Sequence, residues 1–346
     1  MGMTQGIFVV DTHVHGQRHA FKFRERGIKP DYATLAMGMP AADVEVYDNS
    51  PRLLYHMERY GVDVAILIAS FGMTNELNLA IMDQHPGKFV ALCNAVRTQH
   101  RARRGTEKWT IEAAVKELDD LLATGKFCGI GEVLPGNHEK AYTWNERFEE
   151  LCQILEVARK HKVPVDYHTG HLSGYGGAVG TGSGRAPEFR NVLHCHELAS
   201  AYPDVPIILA HGGMQGWWGQ REFIEALEVA AAHPNVYLET GLYWAEMYEK
   251  PLSDPNIGAE KLVWGTDWGA SIPQQWMPGS SPKVYADQNR KLGPPAHQVD
   301  VYGWQFRELS KLQIPQDDLN LILGGNAVRL FNIETPHTRL FKEYLQ

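Results

Sequence analysis

The sequence is poor in the features that mark several classes of protein. Of its 346 residues only four are cysteine: Cys93, Cys128, Cys152 and Cys195. None form a C-x-x-C pair and their spacing matches no zinc knuckle, so they read as reduced, mostly buried thiols of a cytoplasmic protein. There is no run of about 18 apolar residues, and hence no expected membrane span. The first residues show no basic segment followed by an apolar core, so no signal peptide is expected. Positive charge is in deficit: 33 Lys and Arg stand against 41 Asp and Glu, a formal net charge of -8. That balance argues against a nucleic-acid partner. A dinucleotide fingerprint is absent. The glycine-rich stretch 170–184 lacks the G-x-x-x-x-G-K-[ST] order of a phosphate loop and reads as a mobile loop. No internal repeat is apparent.

What the chain does contain is an alternation of short apolar runs and amphipathic stretches. Strands are expected at the run Ile7-Phe8-Val9-Val10 leading into Asp11-Thr12-His13-Val14-His15, and then at 63–68, 89–93, 128–133, 163–168, 206–211, 236–239 and 262–267. Helices are expected between them, the clearest being 110–123, where Thr110 is a plausible N-cap and Ile111, Ala114, Val115, Leu118 and Leu122 form one apolar stripe. Eight strands alternating with helices argue for a parallel sheet closed into an α/β barrel, the (β/α)8 TIM barrel, with residues 1–346 as a single domain. A doubly wound open sheet is the alternative. Two long segments without clear period, 16–49 and 268–295, are expected to cover the C-terminal mouth.

The chemistry-bearing residues fall at strand ends. In a strand alternate side chains point the same way, so His13 and His15 face one side. Glu132 ends the fourth strand, His168 the fifth, His211 the sixth and Asp267 the eighth. A single such His reads as a satisfied core residue. Five or six ligand types, each closing an apolar strand, point to a metal site at the C-terminal face. Its nitrogen and oxygen donors suit zinc foremost, with manganese or iron as other readings, and are too nitrogen-rich for calcium or magnesium. One or two ions are compatible with the set. A divalent ion would activate water, Asp267 could accept and pass on its proton, and His211 could oppose developing negative charge or bind metal itself.

The motifs VVDTHVH, VDYHTG, IILAHGG, LVWGTDWG and ILGGNAVRLF, in this order from Asp11 to Phe331, resemble the amidohydrolase superfamily. The nearest likeness is to its amidohydrolase 2 branch, which includes aminocarboxymuconate-semialdehyde decarboxylase-like enzymes. The resemblance implies that His13, His15, His168 and Asp267 are metal ligands. It implies that His211 is catalytic in a one-metal enzyme or a ligand in a two-metal one. G-I-G-E-V resembles the version in which a glutamate, here Glu132, bridges two metals; the plain alternative is that Glu132 pairs with an arginine.

Several activities use such ligands. The leading expectation is a metal-dependent hydrolase of a small polar molecule. A decarboxylase or other lyase, a dinuclear iron or manganese monooxygenase, and a metal-bearing subunit supporting a related chain are the alternatives. A decarboxylase needs a cation for its carboxylate, and Arg18 is the candidate for binding substrate. A homo-oligomer or a related partner chain is also expected, because Trp217, Trp218, Tyr243 and Trp244 follow strands six and seven, where a neighbour could complete the pocket; internal packing of these rings is the equal alternative.

Overall fold

The computed structural model of the chain describes residues 6–20, 45–70, 73–103, 105–134, 143–169, 191–213, 220–241, 243–268 and 300–335. Ten strands occur in them: β1 (Val10–Val14), β2 (Gln17–Ala20), β3 (Glu45–Asp48), β4 (Val64–Leu67), β5 (Phe89–Cys93), β6 (Gly129–Val133), β7 (Val165–His168), β8 (Ile207–Ala210), β9 (Val236–Glu239) and β10 (Leu262–Val263). Eight form one sheet in the order β1-β4-β5-β6-β7-β8-β9-β10, and every neighbouring pair in it is parallel. The two edges meet. Thr12 N–H donates to Trp264 O at 3.0 Å and His15 N–H to Trp268 O at 2.7 Å, and Val14 forms a parallel bridge with Trp268. The sheet therefore closes on itself as a TIM barrel, the expected fold.

Strand alternation divides the apolar residues into two layers. Val64, Ile66, Ile208, Tyr237 and Val263 share a buried cluster with Ala327, Val328 and Phe331 of helix Asn326–Phe331. Their neighbours Ala65, Leu67, Ile207, Leu209, Val236 and Leu238 pack with helical residues such as Leu118, Leu122, Ile154 and Leu155. The first layer fills the barrel and the second joins it to the surrounding helices. Capping follows the sequence closely. Thr110 accepts from Ala113 N, and Thr143 forms a capping box with Glu146 ahead of helix Trp144–His161.

One glycine is required by close approach. A Cβ on Gly324 would lie 1.9 Å from the carbonyl oxygen of Phe8, just before β1. That atom is backbone and cannot rotate away, so Gly324→Ala should destabilise the fold by about 3 kcal/mol, the upper end of overpacking costs. Thermal denaturation checks this; a variant within about 0.5 kcal/mol of the parent would contradict it.

Three expectations need correction. Part of the segment 16–49 is structured: β2 and β3 pair antiparallel, with Arg18 opposite Tyr47. Strand eight is shorter than 262–267, because after Val263 the backbone leaves the ladder and Trp264 N–H donates to Ile322 O at 3.0 Å. Helices Val96–Arg103 and Ala245–Ser253 were not anticipated. Of the two readings for Tyr243, internal packing is the one seen: it is fully buried against Phe223 and Tyr248, and its hydroxyl donates to Gly212 O at 3.1 Å. Trp217, Trp218, the stretch 170–184 and most of both expected cover segments lie outside the described residues. Among the described residues, no helix is long and apolar enough to cross a membrane.

Candidate metal centre

The expected strand-end residues come together at the C-terminal mouth of the barrel. His13 of β1 and His15, just after its end, lie with ring centroids 5.2 Å apart. His211, just after β8, is 5.0 Å from His13 and 5.2 Å from His168, which ends β7. Glu132 of β6 accepts a close hydrogen bond from His168 Nδ1 and lies 3.4 Å from His211 Nε2. Asp267 Oδ1 is 3.2 Å from His15 Nε2 and 3.7 Å from His13 Nε2. All six are buried. The Arg18 side chain lies outside the described residues.

The local backbone is arranged around these groups. His211 and Asp267 both have positive φ, 62° and 51°. For a residue with a Cβ this costs about 1–3 kcal/mol, and such strain persists only where neighbours enforce it. At His211 the enforcing bond is visible: its N–H donates to Glu239 Oε2 at 2.8 Å. Thr169 ties β7 to β8, donating to Ala210 O at 2.5 Å and accepting from Gly213 N at 2.8 Å. Beyond β6, Arg147 donates to Leu134 O at 2.7 Å and pairs with Glu150 at 2.8 Å, while Asn94 holds Glu132 O at 2.9 Å.

Two sets of ligand-ready atoms result, each within 4.8 Å: His13, His15 and Asp267, and His13, Glu132 and His211. Burial pushes the Glu132 carboxyl up, but His168, His211 and His13 outweigh it and hold it well below the usual carboxylate range. Asp267 is likewise lowered against its burial by His15, His211 and His13. Burial pulls the His13 imidazole down, and Glu239, Glu132, Asp166 and Asp267 outweigh that and hold it well above its ordinary value. Among the described residues no arginine pairs with Glu132. Among the described residues, the cationic partners of Glu132 and Asp267 are histidines.

The residues fit a divalent metal. His13 Nε2 and Asp267 Oδ2 are buried with no hydrogen-bond partner, an arrangement that costs free energy unless something else satisfies these atoms. A metal ion does so, and imidazole with carboxylate is a suitable donor set.

Three buried acids were absent from the expected site. Glu239 ends β9 and lies behind His13 and His211. Asp166 sits on β7 two residues before His168, and burial pushes its carboxyl up to about 8. Asp11 accepts from Thr266 Oγ1 at 2.5 Å and from His13 N at 3.2 Å, and burial raises it to about 7. The strand-end rule that located the others applies equally to Glu239.

A parallel barrel with buried histidines and acids gathered at its C-terminal mouth defines a TIM-barrel enzyme of the metal-site type. The family model described as amidohydrolase matches residues 10–333, and the chain belongs to that family. No curated protein gives a significant match. Among solved structures, a probable 2-pyrone-4,6-dicarboxylic acid hydrolase from Acinetobacter baumannii aligns at TM-score 0.52 and 14% identity, covering 94% of this chain and 99% of that one. An amidohydrolase from Burkholderia multivorans with bound zinc aligns at TM-score 0.51 and 13% identity, covering 94% and 100%. A 5-carboxyvanillate decarboxylase from Novosphingobium aromaticivorans, complexed with manganese and 4-hydroxy-3-methoxy-5-nitrobenzoic acid, aligns at TM-score 0.50 and 13% identity, covering 96% and 98%. At these identities the likeness is one of fold.

Proposed function

We propose that the chain is a divalent-metal-dependent hydrolase of a small polar molecule with an ester, amide or similar bond. His13, His15 and Asp267 would hold one ion and His168 and His211 a second, with Glu132 a ligand available to both. The observation that carries this reading is the pair of buried ligand sets meeting at His13, with Glu132 between His168 and His211. Zinc suits these donors foremost, with manganese or iron as the other candidates. When bound, the metal lowers the pKa of a water toward neutrality and polarises a substrate oxygen.

The chain's own residues supply the rest. Asp267 is held ionised by its histidine neighbours and has an unpartnered oxygen, Oδ2. It is suited to take a proton from the attacking water and give it to the leaving group.

The test is elemental analysis of the purified chain, with a screen of small esters, lactones and amides before and after chelation. Two divalent ions per chain and chelator-sensitive hydrolysis are expected. Release of CO2 from carboxylated aromatics without hydrolysis would replace this reading with decarboxylation. Two irons with substrate-dependent oxygen uptake would replace it with oxygenation.

A further inference from the structure

Glu239 is the buried acid that the proposed chemistry does not use, and its position is specific. Its Oε2 lies 3.6 Å from His13 Nδ1 and 3.5 Å from His211 Nδ1, and accepts the backbone N–H of His211 at 2.8 Å. Both Nδ1 atoms and Glu239 Oε1 are buried without a hydrogen-bond partner. Each imidazole turns its other nitrogen toward the proposed metal positions: His13 Nε2 toward Asp267, and His211 Nε2 toward Glu132. The barrel makes room for this carboxylate. A Cβ on Gly241 would come within 2.4 Å of Glu239 Oε1, and one on Gly265 within 2.5 Å. His15 shows the same logic with a different partner, its Nδ1 lying 3.2 Å from Ile68 O.

We propose that Glu239 is a positioning residue that stands behind both His13 and His211, fixing each as its Nδ1–H tautomer with Nε2 turned outward. This inference rests on the metal-dependent reading above. A metal-bound imidazole is oriented by the group that receives its other N–H, and removing that group costs affinity. Here one carboxylate serves a ligand of each ion. Its loss should therefore weaken both positions together, although Glu239 touches neither.

The experiment uses the full chain stripped of metal. Zinc is titrated back against a chromophoric chelator for the parent and for Glu239→Gln. The Gln oxygen can still accept the His211 N–H, so the strained turn is kept while the charge is lost. Zinc affinity should fall about 10- to 100-fold at both positions, with the circular dichroism spectrum unchanged. In parallel, 15N-histidine NMR of the metal-free parent, taken at a pH above the raised titrations of His13 and His211, should show Nδ1 protonated and Nε2 bare in both rings. Parent-like zinc affinity in Glu239→Gln overturns the proposal, as does an Nε2–H tautomer at both histidines in the parent. The NMR measurement needs no variant, so poor folding of Glu239→Gln does not remove the test. If the parent binds no divalent ion, the metal reading fails, and the tautomers still decide the role of Glu239.

Discussion

Glu132→Gln is expected to lower the metal content from two ions per chain to one and to remove nearly all hydrolysis. Gln keeps the shape and one oxygen but loses the charge. A carboxylate can give one oxygen to each of two ions, which an amide does poorly, so the second ion should be lost. The activity cost should exceed the about 100-fold that follows loss of an outer partner, because here a ligand itself changes. The geometry motivates the prediction: Glu132 sits between His168 and His211, buried, with histidines as its cationic partners among the described residues. Without metal, the same substitution removes the negative partner of the His168 and His211 ion pairs, and breaking a buried pair from one side costs about 3–5 kcal/mol. Metal content per folded chain, after separation of aggregates, is therefore the decisive readout. A variant that keeps two ions per chain, or a parent that holds only one, would make Glu132 an ion-pair partner and point to one-metal chemistry.

Much of this architecture is legible in the sequence because it depends on short-range rules. Strands built of Val, Ile and Leu with helices between them leave few topologies, and their C-terminal ends mark the site. His13, His15, Glu132, His168, His211 and Asp267 each interrupt or end an apolar run, so each stands out. Glu239 also ends an apolar strand, but within Val-Tyr-Leu-Glu a terminal acid resembles the ordinary start of a loop. Nothing local reveals that Gly241 and Gly265, the latter beyond β10, clear space around it. Asp166 is less visible still. It lies on the same face as His168 by strand alternation, yet a lone Asp inside Val-Asp-Tyr-His offers no signal of its depth.

The elements missed were those whose stability comes from partners distant in sequence. β2 and β3 read Gln-Arg-His-Ala and Glu-Val-Tyr-Asp, without an apolar alternation, and pair across an intervening stretch. Helix Val96–Arg103 is mostly polar. Its start is anchored by Glu117 of helix Ile111–Leu122, which accepts from Arg97 N at 3.0 Å and Thr98 N at 2.8 Å. Helix Ala245–Ser253 contains Pro251, which reads as a breaker but sits near its end. The overextended eighth strand has the opposite cause: Trp264 is apolar and fully buried, but its backbone serves β1 and the segment near Ile322 rather than continuing the β9–β10 ladder.

Replacing His13 and His15 together by Ala is expected to abolish retention of the first ion and to weaken the second. His13 belongs to both ligand sets, whereas His15 belongs to one. The double variant removes two of the four ligands proposed for the first ion, and Asp267 with the shared Glu132 is a poor site for zinc. The second set keeps His168, His211 and Glu132 but loses the neighbouring imidazole. Its affinity should fall without vanishing, and the single His15→Ala variant should spare it more than His13→Ala does. A control lies elsewhere in the chain. His196 and His233 form a half-buried pair with nitrogens 2.8 Å apart, but no acid completes them into a ligand set among the described residues. Their double Ala replacement should leave metal content unchanged. The comparison separates a specific site from general loss of imidazole or of stability. If the His13 and His15 variant retains metal as tightly as the parent, the ion is held elsewhere. If the His196 and His233 variant loses metal equally, the effect is one of folding.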